Sequence, residues 1–260
     1  MAKLDPYGRL VPEERSWFYL CIAAAAWVIV LVIYCLFVPL FVSSLKFPGP
    51  VLVLNAVHNI GPAIFSHALS TLTLVLLGFA IGSVLGVTLG FIMFASAAAD
   101  SLLFSFIEFI RPVPPIALIP FFILWFGLNP AAQVALVALG CFLVMVVSTR
   151  EALNKVSIEI RRAALSLGAT GWSFYFDILL WAILPSLIAP LRVGLALAFA
   201  LAVAAEFMGA QSGLGYLMMI ARRTLQTETI LLAVIILGLE SAIMDWLLRT
   251  LFGRLIRWHS

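Results

Sequence analysis

The chain has 260 residues, 64% of them hydrophobic and 10% charged, with a net charge of +3 and a mean hydropathy of +1.18. This balance excludes an ordinary soluble domain, and so small a positive charge gives no reason to expect a nucleic-acid partner. Several apolar stretches reach the roughly 20 residues a helix needs to cross about 30 Å of hydrocarbon. Lipid demands internally satisfied backbones, and the short alternating strands of an outer-membrane barrel are missing from the pattern. The expected fold class is an all-α polytopic bundle.

Residues 1–16 read as a tail and 17–260 as one transmembrane domain. Six spans are expected, at about 17–42, 69–93, 112–128, 131–148, 179–207 and 229–250. The first is too long for a signal-peptide core and lacks a small-x-small cleavage site, so it reads as retained. "FPGP" (Phe47 to Pro50) follows it as a turn signal. The second span carries Gly78, Gly82, Gly86 and Gly90, spaced four apart on one helix face, where another backbone can approach closely. That face suits plain packing and also a helix that slides beside a translocation path.

A helix from Asp100 to Ile110 is expected to feed the third span, which opens with "RPVPPIALIP" (Arg111 to Pro120). Each proline removes a backbone donor. The break either lines a wet path or opens the span at the interface. Arg111, Pro114 and Pro115 are therefore pathway candidates.

Between spans four and five lies a loop at about 149–178 that is too polar for lipid. Glu151, Lys155 and Glu159 fall four apart and Arg162 three later, an alternating ladder suited to one solvated helix face. Ile160, Ala163, Ala164, Leu167, Gly168 and Gly171 form a second, narrow face. Small side chains there suit either a partner's groove or the chain's own bundle. Trp172, Phe174, Tyr175 and Phe176 then mark the return to the membrane boundary.

Arg192 falls within the fifth span and Glu206 near its end, and both join Arg111 as pathway or gate candidates; Arg111 and Arg192 could help an anion along, though no spacing demands it. A lipid-facing carboxylate at mid-depth costs about 2.5–3.5 kcal/mol. Glu206 is thus expected to face a cavity or the interior, as part of a gate or paired with Arg192 or Arg222. Glu240 and Asp245 are weaker candidates for interhelical hydrogen bonds. Cys21, Cys35 and Cys141 all lie in apolar runs, and His58, His67 and His259 show no ligand spacing, so no disulfide or metal site is expected. No nucleophile–base constellation and no phosphate-binding glycine loop appears. Catalysis by this chain is not expected, nor a cofactor bound to it. With the N-terminus inside, Lys3, Arg9, Arg15, Arg150, Lys155, Arg161, Arg162, Arg249, Arg254 and Arg257 lie on the inner side. Lys46, Arg222 and Arg223 lie outside. This bias places both termini in the cytoplasm.

"AALSLGAT…ILP…APLRVGLALAFALAVAAEFMGAQSGLGYLM", "RPVPPIALIPFFILWFGL" and "FPGPVLVL" together resemble the permease subunits of binding-protein-dependent ABC importers, in particular the nitrate/sulfonate/taurine class. The resemblance covers roughly residues 47 to 252. The family's loop signature is EAA-x3-G-x9-I-x-LP. Ala163, Ala164 and Gly168 match it, and the acidic position falls on Arg162. Ile178 and Leu180 fit the spacing, but Trp181 follows, and Leu184-Pro185 arrives four residues late.

The resemblance implies a type I importer bundle, used as a homodimer in the bacterial inner membrane. Its loop, here Glu159, Arg161, Arg162, Ala163, Ala164, Leu167, Gly168 and Ala169, would couple to two cytoplasmic ATPase subunits that hold the ATP and Mg. An external binding protein would deliver a small sulfonate, taurine or nitrate-like anion. Gly168→Asp, or a bulky residue at Ala164, is expected to uncouple ATP hydrolysis from uptake. The competing readings are an ion-coupled secondary transporter and a channel or scaffold subunit not coupled to ATP.

Overall fold

The computed structural model describes residues 2–4, 10–12 and 47–255, together with Cys21, Ile22, Ala25, Ala26, Val28, Ile29, Val32 and Tyr34. Most of the first expected span, and Arg9, Arg15, Cys35, Lys46, Arg257 and His259, lie outside the described residues. The described part of that span is helical. The chain divides into two compact units, Met1–Gly61 with Ala221–Leu232, and Pro62–Ile220 with Ala233–Ser260.

In the first unit, β1 (Ala2–Leu4) pairs antiparallel with β2 (Leu10–Pro12), Lys3 opposite Val11. The Tyr34 hydroxyl donates to the Pro48 carbonyl at 3.0 Å, and its ring meets Phe47 edge-on. These contacts fix the FPGP turn, after which Pro50 opens α1 (Pro50–Ile60) at the first helical position, where its missing N–H costs nothing.

The second unit is the helical bundle. It begins with α2 (Ala63–Ala95) and α3 (Ala97–Ile110), separated by Ser96, whose extended backbone and hydroxyl cap α3 through the Ala99 N–H. A 3-10 turn (Pro115–Leu118) leads into α4 (Ile119–Phe126). Asn129 caps α5 (Pro130–Asn154) by accepting from the Ala131 N–H at 2.6 Å. Then come α6 (Ile158–Ser166), α7 (Gly171–Glu206), and the larger parts of α8 (Leu214–Arg223) and α9 (Thr227–Leu255), whose residues 221–223 and 227–232 belong to the first unit.

Among the described residues four helices are long and apolar enough to span a membrane: α2, α5, α7 and α9. The third expected span, 112–128, is not a straight helix. α3 and the segment Pro115–Phe126 meet at 86° and make one broken span or re-entrant element. The prolines are the cause: Pro114 is extended at ψ 124, and Pro115 opens the new turn. The fifth span starts eight residues earlier than expected, through a π-helical stretch, Phe174–Leu179, and continues past Pro185 and Pro190.

α5 is the hub. Leu74, Val75, Val137, Cys141, Leu195, Ala198 and Phe199 form a core where α2, α5 and α7 meet. Met145, Leu153, Leu179 and Ile183 extend it toward α6, and Met93, Ile107 and Val146 join α3 to it. Gly78, Gly82, Gly86 and Gly90 face α5. A methyl group on them would come within 2.5 Å of Val137 Cγ1, 2.7 Å of Cys141 Cβ, 2.7 Å of Met145 Cβ and 2.7 Å of Thr149 Cβ, respectively. Only a bare Cα permits this separation, and dispersion contacts along the seam replace the hydrophobic drive that lipid does not supply. By contrast only 11% of the apolar window of α9 is buried within the chain.

Candidate functional site

The polar loop at one end of the bundle is built around α6. The expected four-spaced ladder is interrupted there. Lys155 approaches Glu151 at 3.9 Å, but α5 stops at Asn154 and Ser157 starts a new helix, its hydroxyl accepting from the Ile160 N–H. Glu159 therefore belongs to α6 and Lys155 does not. Hydrogen bonds from its own N–H and from the Ser157 hydroxyl hold the Glu159 carboxyl below the usual carboxylate range.

α6 ends in a Schellman turn. The Gly168 N–H reaches the Leu165 carbonyl at 3.0 Å and the Ala169 N–H reaches the Ala164 carbonyl at 3.1 Å, with Gly168 at φ +84°. Such a φ strains any residue with a Cβ. Gly171 repeats it at φ +56° as α7 begins.

The two faces of α6 differ from the expected ones. Ala164 is buried against the chain's own bundle, so it is not part of an open docking face. Arg161, expected among the docking residues, turns the same way. Its Nη2 donates to the Leu153 carbonyl at 2.7 Å, and its guanidinium lies 4.9 Å from the Phe94 ring centroid. It binds the Leu153 and Asn154 carbonyls at the end of α5 and stacks on the end of α2. The sequence showed the charge but not that it faces inward. What remains open is an apolar rim: Ile158, Ile160, Leu165 and Leu167, the last 88% exposed, with Arg162 and Ala163 beside them. A solvated helix with four exposed branched aliphatics outside the spans has the character of a contact surface.

Nearby, Arg150 is held by Asp100 through two bonds of 2.5 and 2.7 Å and lies over the Phe104 ring. This bidentate pair locks α3 to α5. Nothing in the residue spacing pointed to it.

At the opposite end, Glu206 closes α7 and is 1% exposed. It pairs with neither Arg192 nor Arg222. Its Oε1 accepts from the Thr71 hydroxyl at 2.8 Å and its Oε2 from the Gly215 N–H at 2.7 Å. Thr71 Oγ1 in turn accepts from the Leu214 N–H at 2.7 Å, and His67 Nδ1 from the Gly213 N–H. The first-turn donors of α8 are thus satisfied by α2 and α7. This explains the "GLG" of Gly213 to Gly215. A methyl group at Gly213 would strike the Glu206 carboxyl, and one at Gly215 would sit 2.8 Å from Oε2. Beside this knot, Ser66, Ser70, Thr73, Gln133, Gln211 and Ser212 help line a cavity of about 640 Å³.

The remaining candidates are dispersed. Arg111 is exposed at the α3–α4 break and pairs with Glu108 at 3.1 Å; Pro114 and Pro115 make the break itself. Arg192 binds Asp245 at 2.6 Å. Among the described residues no group of His, Cys, Asp and Glu is arranged to hold a metal ion.

Solved structures share this architecture. The methionine ABC transporter MetNI, in an inward-facing conformation, superposes with a TM-score of 0.61 at 19% identity, covering 74% of this chain and 97% of that one. An amino acid ABC transporter gives 0.60 at 22% identity, over 79% and 97%. The fold is that of an ABC-importer permease. Residues 82–257 also match the family model described as binding-protein-dependent transport system inner membrane component, and the chain belongs to that family. Its relatives include a probable ABC transporter permease protein of Brucella abortus, 33% identical over 84% of this chain and 88% of that one. The taurine transport system permease protein of Escherichia coli is 30% identical over 84% and 82%. A putative aliphatic sulfonates transport permease protein of Bacillus subtilis is 29% identical over 84% and 80%. The chain is therefore a transport permease subunit and an inner-membrane component.

Proposed function

We propose that this permease is driven by cytoplasmic ATPase subunits that grip α6, and that it passes a small sulfonate-type anion delivered by an external binding protein. The observation that carries the reading is the construction of α6. Its base is fastened to the bundle by Arg161 and Ala164, its far end is set by the Gly168 turn, and its outer rim of Ile158, Ile160, Leu165 and Leu167 is left open. A lever needs this combination of rigid attachment and free contact surface. A pull on α6 reaches α5 through Leu153 and α2 through Phe94, the helices whose glycine seam sets their spacing.

ATP and Mg belong on the ATPase chains, and hydrolysis there would shift the bundle between two packed states. Two copies of the permease would pair, and the little-buried apolar surface of α9 is free for lipid and for that partner. The basic bias around α6 supports a cytoplasmic position for this end and for both termini. The sulfonate and taurine relatives support the cargo class.

The test is reconstitution in liposomes with the cognate ATPase and binding protein, offering taurine and short alkanesulfonates. Uptake of at least one is expected to require ATP, the ATPase and the binding protein together. Uptake driven by an ion gradient with no ATPase would overturn the reading.

A further inference from the structure

Arg192 lies within the spanning helix α7, about 21 Å of helix from Glu206 and so toward the inner side of the bundle. Asp245 lies within α9, about 15 Å before Leu255. Arg192 Nε and Nη2 reach Asp245 Oδ1 and Oδ2 at 2.6 and 3.3 Å, and Arg249 Nε reaches Oδ2 at 2.8 Å. Two guanidiniums thus share one carboxylate, leaving one surplus positive charge.

Both central partners are only partly covered: Arg192 is 37% and Asp245 30% exposed. Both line a cavity of about 600 Å³ between α7 and α9, walled by Ala196, Gly238, Ser241 and Ala242. Small residues there leave room, and Ser241 adds a hydroxyl. Among the described residues no other titratable side chain lines this cavity. Ionised groups at membrane depth must face water, a partner or a passing solute, because lipid does not tolerate them. A partly open ion pair contributes only about 0–1 kcal/mol to stability, so stability alone gives little reason to keep one here. Arg192 also retains N–H donors beyond the two that Asp245 engages, in a planar fork suited to oxyanions.

We propose that this cavity is an anion-handling station on the solute path, with Arg192 meeting the oxyanion and Asp245 acting as a positioning residue. The proposal rests on the importer reading above and sharpens its cargo class. Asp245 holds the guanidinium extended toward the cavity and competes with the solute, which keeps binding weak enough for release.

The test reads charge in the cavity without needing the cargo's identity. Ala196→Cys is placed in a chain whose native cysteines are replaced by alanine, in nanodiscs with the cognate ATPase. Labelling rates are compared for two methanethiosulfonates, one bearing an ethanesulfonate and one a trimethylammonium group, each scaled to its rate with a free thiol. With Arg192 present the anionic reagent is expected to be favoured by about tenfold. Arg192→Gln should bring the ratio near one, and Arg192→Lys should keep most of it. Asp245→Asn, which leaves Arg192 in place, should raise it. Methanesulfonate should slow the anionic reagent only when Arg192 is present. The proposal is overturned if neither reagent reaches the thiol, or if neither Arg192→Gln nor Asp245→Asn changes the ratio. Loss of ATP-dependent uptake in the parent chain with the ratio intact would instead count against the importer reading.

Discussion

Removing the Glu206 carboxylate tests the polar knot at the end of α7. Glu206→Ala deletes the acceptors of the Thr71 hydroxyl and the Gly215 N–H, both buried. Bonds to a charged acceptor contribute about 1.5–3 kcal/mol each, so the gross loss is about 3–6 kcal/mol. Part returns, because the carboxylate no longer has to be kept out of water. The Gly215 N–H, left without its partner in a buried site, costs about 1–3 kcal/mol by itself. A net loss of about 2–3 kcal/mol follows, equivalent to a drop in melting temperature of about 5–10 °C for a chain of this size. Glu206→Gln retains one acceptor but turns an amide donor toward the other donor, so it should fall about midway. Thermal melting in nanodiscs, with hydrogen exchange at Leu214 and Gly215, reads both effects. Unchanged melting and unchanged exchange in the alanine variant would refute the reasoning.

Other substitutions probe the remaining features. Gly82→Val pushes a branched side chain into the Cys141 Cβ and the Ala138 carbonyl, and should lower stability by about 1–3 kcal/mol or more, read by melting. Gly168→Val meets no neighbour but must hold φ +84°, a strain of about 1–2 kcal/mol, whereas Gly168→Asn tolerates that backbone. Valine should therefore raise amide exchange at Gly168 and Ala169 and weaken ATPase association while the bundle's melting stays unchanged, and asparagine should do neither. Equal effects from the two would rule out the conformational argument. Arg161→Ala should loosen the α5–α6 joint, increasing proteolysis between residues 154 and 158, and Arg161→Lys should rescue it only partly because the stacking on Phe94 is weaker.

Hydrophobic length and period made the spans at α2, α5, α7 and α9 legible, and four-residue spacing singled out the glycines that meet α5. The prolines marked the break after Arg111, but a proline count does not fix an angle, so the 86° bend stayed hidden. Side-chain direction was the larger gap. Arg161 and Arg162 are adjacent and chemically identical, yet one caps α5 and the other is open to solvent. Only the end of α5 at Asn154 and the restart at Ser157 decide which. The Ser157 cap was missed, because the four-residue ladder ran a single helix face from Glu151 to Arg162 across the point where the Ser157 hydroxyl accepts from the Ile160 N–H. The partners of Glu206 were missed as well, because Thr71 is 135 residues away in sequence.

The most direct measurement concerns the open rim of α6. Leu167→Cys in the assembled transporter should crosslink to the ATPase chain through a short thiol-reactive linker, with a yield that changes between ATP-bound and nucleotide-free states. If that position crosslinks only within its own subunit in every nucleotide state while uptake proceeds, α6 is not the lever and the coupling account is contradicted.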